Sequence, residues 1–194
     1  IAAPNSNTDR TLTLPDEAGT VLTSGTPLSS FPTGFANGIT EADQWRLSTN
    51  ITNVASVSVL DTNWERVDTD NGTYVGTGMS ESSGVFTFPS TGKWLIQFAG
   101  YISVNGSQRY NSLIIQTTTN NSTYDSGAAS SQFISQVNSN YTLGSVYVFF
   151  IFDVTDTANC KVRFAQNCEG TAGVIQGSTN ENTTSVNFIR LGDT

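Results

Sequence analysis

Val146-Tyr147-Val148-Phe149-Phe150-Ile151-Phe152-Asp153-Val154 is an unbroken apolar run of strand length. Successive side chains in a strand point to opposite faces. One parity holds Val146, Val148, Phe150, Phe152 and Val154, and the other holds Tyr147, Phe149, Ile151 and Asp153. A strand with one wet face is polar on one parity. This one is apolar on nearly all of both, so it needs cover on both faces. The domain's own core supplies one cover. In an antiparallel, Gly- and Thr-rich chain, the simplest second cover is another copy of the same chain.

The 194 residues suffice for one domain plus an appendage. A domain of about 150 residues buries roughly 70% of its unfolded surface and needs no staples. Charged residues make up only 12% of the chain, and the net charge is −8. Nucleic acid requires a basic footprint, which eight scattered Lys and Arg do not provide. An anionic membrane surface is disfavoured for the same reason. No apolar stretch approaches the roughly 18 residues of a membrane span, so no insertion is expected. The chain begins at Ile1 without an initiator Met and reads as a fragment of a longer polypeptide.

Residues 1–40 differ from the rest. They carry four of the five prolines (Pro4, Pro15, Pro27 and Pro32) and no long periodic segment. Thr11–Pro15 and Ala18–Leu22 alternate as short strands, and Thr26–Thr40 reads as a Pro-, Gly- and Ser-rich linker. Such strands bury little alone, but three chains wound together form a shaft.

From residue 41 onward, strands recur with turn signals between them. Asp43–Thr49 sets Trp45 and Leu47 against Gln44, Arg46 and Ser48. Val54–Leu60 presents Val57 and Val59 together, and Asn63–Thr69 is a further candidate. Asp70-Asn71-Gly72 marks a tight turn. Phe86 and Phe88 share a face, as do Trp94, Ile96 and Phe98 after the turn at Pro89–Gly92. Tyr110–Thr118, Ser131–Val137, Cys160–Ala165 and Ser185–Leu191 follow; the last is apolar on both parities. Asn120–Ser131 and Asn167–Thr184 read as polar surface excursions. Eight to ten strands without a long helix predict an all-β, two-sheet antiparallel jelly-roll sandwich over 41–194, preceded by a short extended β shaft over 1–40.

Histidine is absent, which removes Ser-His-Asp and Cys-His catalysis and ordinary His-containing zinc sites. Cys160 and Cys168 are the only cysteines. Along an extended strand eight residues span ~26 Å, against a bridging limit of ~7 Å. A disulfide therefore requires a hairpin at Gln166-Asn167. The extended reading, preferred here, leaves free buried thiols suited to a reducing cytoplasm. Asp68 with Asp70, and Asp153 with Asp156, are the carboxylate pairs that a glycosidase would need, but both lie in turn-like stretches. Asp68–Gly72 fails the EF-hand spacing, with Gly72 fifth and Met79 twelfth. Calcium held by turn acids is the single cofactor left open, and no other is expected. Among the tryptophans, Trp94 and Trp45 fall in core parity. Trp64, beside Asn63, Glu65 and Arg66, is the candidate for an exposed sugar-stacking ring.

The stretch Ser83-Gly84-Val85-Phe86-Thr87-Phe88-Pro89-Ser90-Thr91-Gly92-Lys93-Trp94-Leu95-Ile96-Gln97-Phe98 resembles the signature of the trimeric jelly rolls of the complement globular head and tumour-necrosis-factor superfamily. That signature is a Ser-Gly-x-Phe-Thr strand, a Pro-x-x-Gly turn and an aromatic-rich strand. The order of the later strands matches too. The ending Ser185–Asp193 resembles the family's Ser-x-Phe-x-Gly-x-x-Leu close, departing at Phe188, which no Gly follows, and at Arg190. Residues 11–22 are similar to a repeat found in the fibres and spikes of tailed bacteriophages, notably marine ones, whose proteins often end in such jelly rolls.

The resemblance implies a homotrimer with Tyr147, Phe149, Ile151, Phe188, Ile189 and Leu191 at the subunit interface. It implies a virion protein, assembled in the host cytoplasm and displayed outside, that joins other virion proteins through its N-terminal segment. The expected function is non-enzymatic attachment of a fibre head to a host-surface glycan or protein. The receptor would meet the polar excursions, chiefly Asn120, Asn121, Tyr124 and Asp125, together with Trp64. The alternatives are a capsid or tail decoration without receptor binding, a polysaccharide depolymerase, and a secreted complement-like ligand.

Overall fold

The computed structural model describes residues 38–52 and 55–194. The expected shaft strands at 11–15 and 18–22, the linker up to residue 37, and Val54 lie outside them.

The described residues contain thirteen strands and no helix. One sheet contains β1 (Ala42–Leu47), β2 (Ile51–Thr52), β4 (Trp64–Arg66), β7 (Gly92–Val104), β10 (Thr142–Val154), β12 (Gly173–Ile175) and β13 (Ser185–Gly192). Its order is β2-β12-β7-β13-β1-β4, with β10 on the other side of β7. The second sheet contains β3 (Ser58–Val59), β5 (Ser80–Ser82), β6 (Val85–Thr87), β8 (Gln108–Thr118), β9 (Asp125–Ile134) and β11 (Lys161–Cys168). It runs β5-β6-β11-β8-β9, with β3 also on β11. Every pairing between these strands is antiparallel. The expected two-sheet sandwich is present, with more strands than anticipated because several are only two or three residues long.

Alternation builds the core as expected. Trp94, Ile96 and Phe98 on β7 and Phe86 on β6 are all buried, facing each other between the sheets. The Phe86 ring sits at the centre, 5.5 Å from Trp45, 5.4 Å from Trp64, 5.4 Å from Phe164 and 5.3 Å from Phe188. The first three of these pairs meet edge to face, and such pairs add roughly 0.5–1.5 kcal/mol each beyond their buried area.

Turn chemistry fixes the register. Asp70 and Asn71 both have positive φ, and Gly72 N–H donates to Thr69 O at 2.8 Å, closing the expected tight turn. Ser83 and Gly84 do the same between β5 and β6. A Cβ at Gly84 would lie 2.6 Å from Asp61 Cα, so only glycine fits there.

Several boundaries differ from expectation. β1 starts at Ala42 and ends at Leu47, with the expected parity intact. Among the described residues of the two adjoining candidates, Ser58–Val59 and Trp64–Arg66 are extended, and Val57 is exposed. The Asn120–Ser131 excursion ends at Tyr124. From Asp125 to Ile134 the chain is β9, paired along β8 from Thr117 to Gln108. Backbone pairing decides this segment, although Ser, Gly and Ala are poor strand formers. Small side chains are also required: a Cβ at Gly127 would meet the Phe150 ring at 2.9 Å. β11 continues to Cys168, and the second excursion contains β12. Cys160 precedes β11 and Cys168 ends it, and both thiols are buried.

Candidate functional site

The outer face of the first sheet is where the two-faced strand meets solvent. Inward-pointing Val146, Val148, Phe152 and Val154 on β10 are buried. The alternate residues Tyr147, Phe149 and Ile151 are 59%, 58% and 60% exposed. The chain thus covers one face of this strand and leaves the other bare. β10 is also an edge: among the described strands it pairs with β7 alone, over 13 residues. Long, flat, apolar edges are association-prone, and proteins that stay monomeric usually blunt them.

Directly opposed residues share a face, so the registers define rows across this surface. Ile151 lies opposite Leu95, which lies opposite Ile189. Phe149 lies opposite Gln97, and Gln97 opposite Asn187. Tyr147 lies opposite Ala99. One apolar row and a projecting aromatic pair therefore stand beside a polar strip. Ala42, Gln44, Val75, Gln97, Asn187 and Ile189 line a shallow hollow next to them.

Phe188 does not belong to this surface. It is fully buried, opposite Ile96, with its ring packed on Phe86, Phe88 and Phe164. Its parity is that of Val186, which faces the core. Ile189 is half-buried on the outer face, and Leu191 is 54% exposed where the pairing with β7 breaks between Arg190 and Gly192.

The residues expected to meet a receptor divide. Asn120, Asn121 and Tyr124 sit between β8 and β9, and Asp125 is the first residue of β9. The Asn120 side-chain carbonyl accepts the Ser122 and Thr123 backbone N–H groups at 3.0 and 2.9 Å, which makes it a turn-forming residue. Asn121 has positive φ, and its N–H donates to Asn159 O at 2.9 Å. The Arg163 guanidinium lies 4.0 Å over the Tyr124 ring. Burial raises the Tyr124 phenol pKa, and the Arg163 charge partly offsets this. Trp64 is elsewhere. Its ring packs on Phe86, Phe98 and Phe164, and its Nε1–H donates to Leu60 O at 2.7 Å, so it is a core aromatic and no sugar platform.

The two polar stretches fall at opposite ends of the sandwich. Thr118 pairs with Lys161, whereas Asn111 pairs with Cys168. The Asn120 loop accordingly lies with Ala42, Gly92 and the Thr155–Asn159 turn. Residues 169–172 and 176–184 lie with Asn105–Ser107 and the β9–β10 connection.

The acidic pairs are occupied structurally. Asp156 accepts from Ala158 N–H and Asn159 Nδ2, which holds its carboxyl below the ordinary carboxylate range. Asp68 pairs with Arg46 at 3.3 Å. No three Asp, Glu, Cys or His among the described residues are grouped to hold a metal ion. Composition did not reveal two buried charges on β1. Arg46 is 1% exposed and reaches Glu65 at 2.7 Å and Thr69 Oγ1 at 3.0 Å. Asp43 is 2% exposed and accepts from Trp45 Nε1, Arg66 and Met79 N–H.

No protein-family profile matches the sequence, and no curated protein matches it. Solved structures do. Eiger TNF from S. frugiperda superimposes with a TM-score of 0.57 at 12% identity, covering 79% of this chain and 93% of that one. Murine APRIL gives 0.51 at 11% identity, covering 78% and 98%. PRD1 vertex protein P5 reaches 0.47 at 14% identity, too distant to carry an argument. Strand order, antiparallel registers and these superpositions agree: the domain has the tumour-necrosis-factor-like jelly-roll fold.

Proposed function

We propose that this chain is the head of a homotrimeric bacteriophage fibre or spike, a non-enzymatic virion part that attaches to a host-surface glycan or protein. The observation that carries the trimer is the bare parity of β10, where Tyr147, Phe149 and Ile151 project from an edge strand. A ridge on one copy that seats on the face beside β13 of the next is a heterologous contact. Such contacts close into rings when the rotation allows. Ile189 and Leu191 border that surface; Phe188 lies behind it. The reading as an attachment protein rests on the N-terminal resemblance to fibre repeats and on the polar loops rich in Asn, Ser, Thr and Gly at the sandwich ends. Three identical sites would turn weak contacts into avid binding. Residues 1–40 would serve as shaft and link to other virion proteins.

The test is saturable binding to cells. Fluorescently labelled chain, offered to a panel of marine bacterial isolates, is expected to stain at least one strain with saturation. Unlabelled chain should compete the stain away. Uniform absence of saturable staining contradicts attachment and favours a decoration role.

A further inference from the structure

A second hollow, of about 470 Å³, opens on the outer face of the first sheet at the end away from Ala42. Asn50, Tyr101, Ser103, Tyr141, Leu143 and Gln176 line it. They come from four separate segments, which is why no local motif announces them. None carries a charge at neutral pH, in a chain of net charge −8. Two tyrosines supply apolar ring surface, one of them, Tyr141, 59% exposed. The amides are held by the fold. Gln176 donates from Nε2 to Ser103 Oγ, and its backbone N–H donates to Tyr101 O at 2.8 Å. Asn50 Oδ1 accepts Gly177 N–H at 2.9 Å. Each amide is therefore anchored through one end. Asn50 Nδ2 is left as a donor and Gln176 Oε1 as an acceptor.

Aromatic surface, one fixed donor, one fixed acceptor and no charge match the chemistry of a neutral sugar ring. Its C–H face stacks on an aromatic, and its hydroxyls both donate and accept. Anchored amides lose little freedom on binding. We propose that this hollow binds a neutral sugar residue. The proposal rests on the attachment reading and moves its site to the end opposite Asn120.

The competing occupant is a second copy of this chain, because Leu143 continues the exposed row of β10. Saturation-transfer NMR on the full chain, with methyl glycosides of glucose, galactose, mannose and N-acetylglucosamine, separates the two. At least one glycoside is expected to receive saturation. Tyr141→Ala should weaken its binding roughly tenfold. Gln176→Leu should weaken it about fivefold, the worth of one neutral hydrogen bond. The oligomeric mass should stay unchanged in both variants. Silence from the whole panel, unaltered binding in both variants, or a smaller assembly in Tyr141→Ala overturns the assignment. Cell staining is scored in parallel. Staining by the parent that Tyr141→Ala leaves intact refutes the hollow and spares attachment. Glycoside binding without any staining does the reverse.

Discussion

Replacing Phe149 by serine should take the assembly apart and leave the fold intact. Phe149 is 58% exposed in the single chain. An aromatic side chain buries about 200 Å², so about 120 Å² awaits cover at each contact. At about 25 cal/mol per Å² that is about 3 kcal/mol per contact, or about 9 kcal/mol over the contacts of a trimer. This lowers the trimer association constant by about six orders of magnitude. The concentration of half-dissociation scales as the inverse square root of that constant, so it should rise about a thousandfold. The isolated fold should change by less than about 1 kcal/mol, because the ring touches solvent there. Sedimentation velocity over a dilution series reads the first effect, and urea unfolding of the dissociated chain reads the second. The reasoning is refuted if Phe149→Ser assembles as tightly as the parent. It is refuted equally if the dissociated variant has lost several kcal/mol of stability, since the ring would then belong to the core.

Asp43→Ala removes the acceptor for Trp45 Nε1, Arg66 and Met79 N–H from a buried site, and should cost about 3–5 kcal/mol in urea unfolding. Asp156 has its folded pKa depressed, first by the Ala158 N–H and then by Asn159. Its contribution is thus complete above the ordinary carboxylate pKa of about 3.9 and fades as pH falls through the lower folded value. Carboxyl NMR should show Asp156 titrating below that reference, and Asp156→Asn should flatten the acid limb of thermal unfolding. Between Asn71-Gly72 and Asn105-Gly106, the latter should deamidate first. Succinimide closure needs the next backbone nitrogen; Gly72 N–H is held by Thr69 O, whereas a Cβ at Gly106 would meet nothing within 4 Å. Peptide mapping after warm incubation at mildly alkaline pH checks the order.

Much of the sandwich was legible because alternation is a local signal. Phe86 with Phe88, and Trp94 with Ile96 and Phe98, identify their faces from spacing alone, and Asn71-Gly72 announces its turn. The bare parity of β10 was legible for the same reason. Phe188 was not, since β13 is apolar on both parities and only its register with Ile96 turns Phe188 inward. Trp64 misled because its chain neighbours are polar; its ring is claimed by aromatics distant in sequence. β9 was hidden because its small residues are selected by the Phe150 ring and the β8 backbone, neither of them local. The burial of Asp43 and Arg46 was hidden because their charged partners lie 19 or more residues away. The sugar hollow is wholly a product of tertiary assembly.

The central claim is that the bare face of β10 is covered by further copies of the same chain. Light scattering coupled to size exclusion, at micromolar concentration, tests it most directly. The account predicts a single species of three times the 20.7 kDa chain mass. A stable, folded species at 20.7 kDa would contradict it.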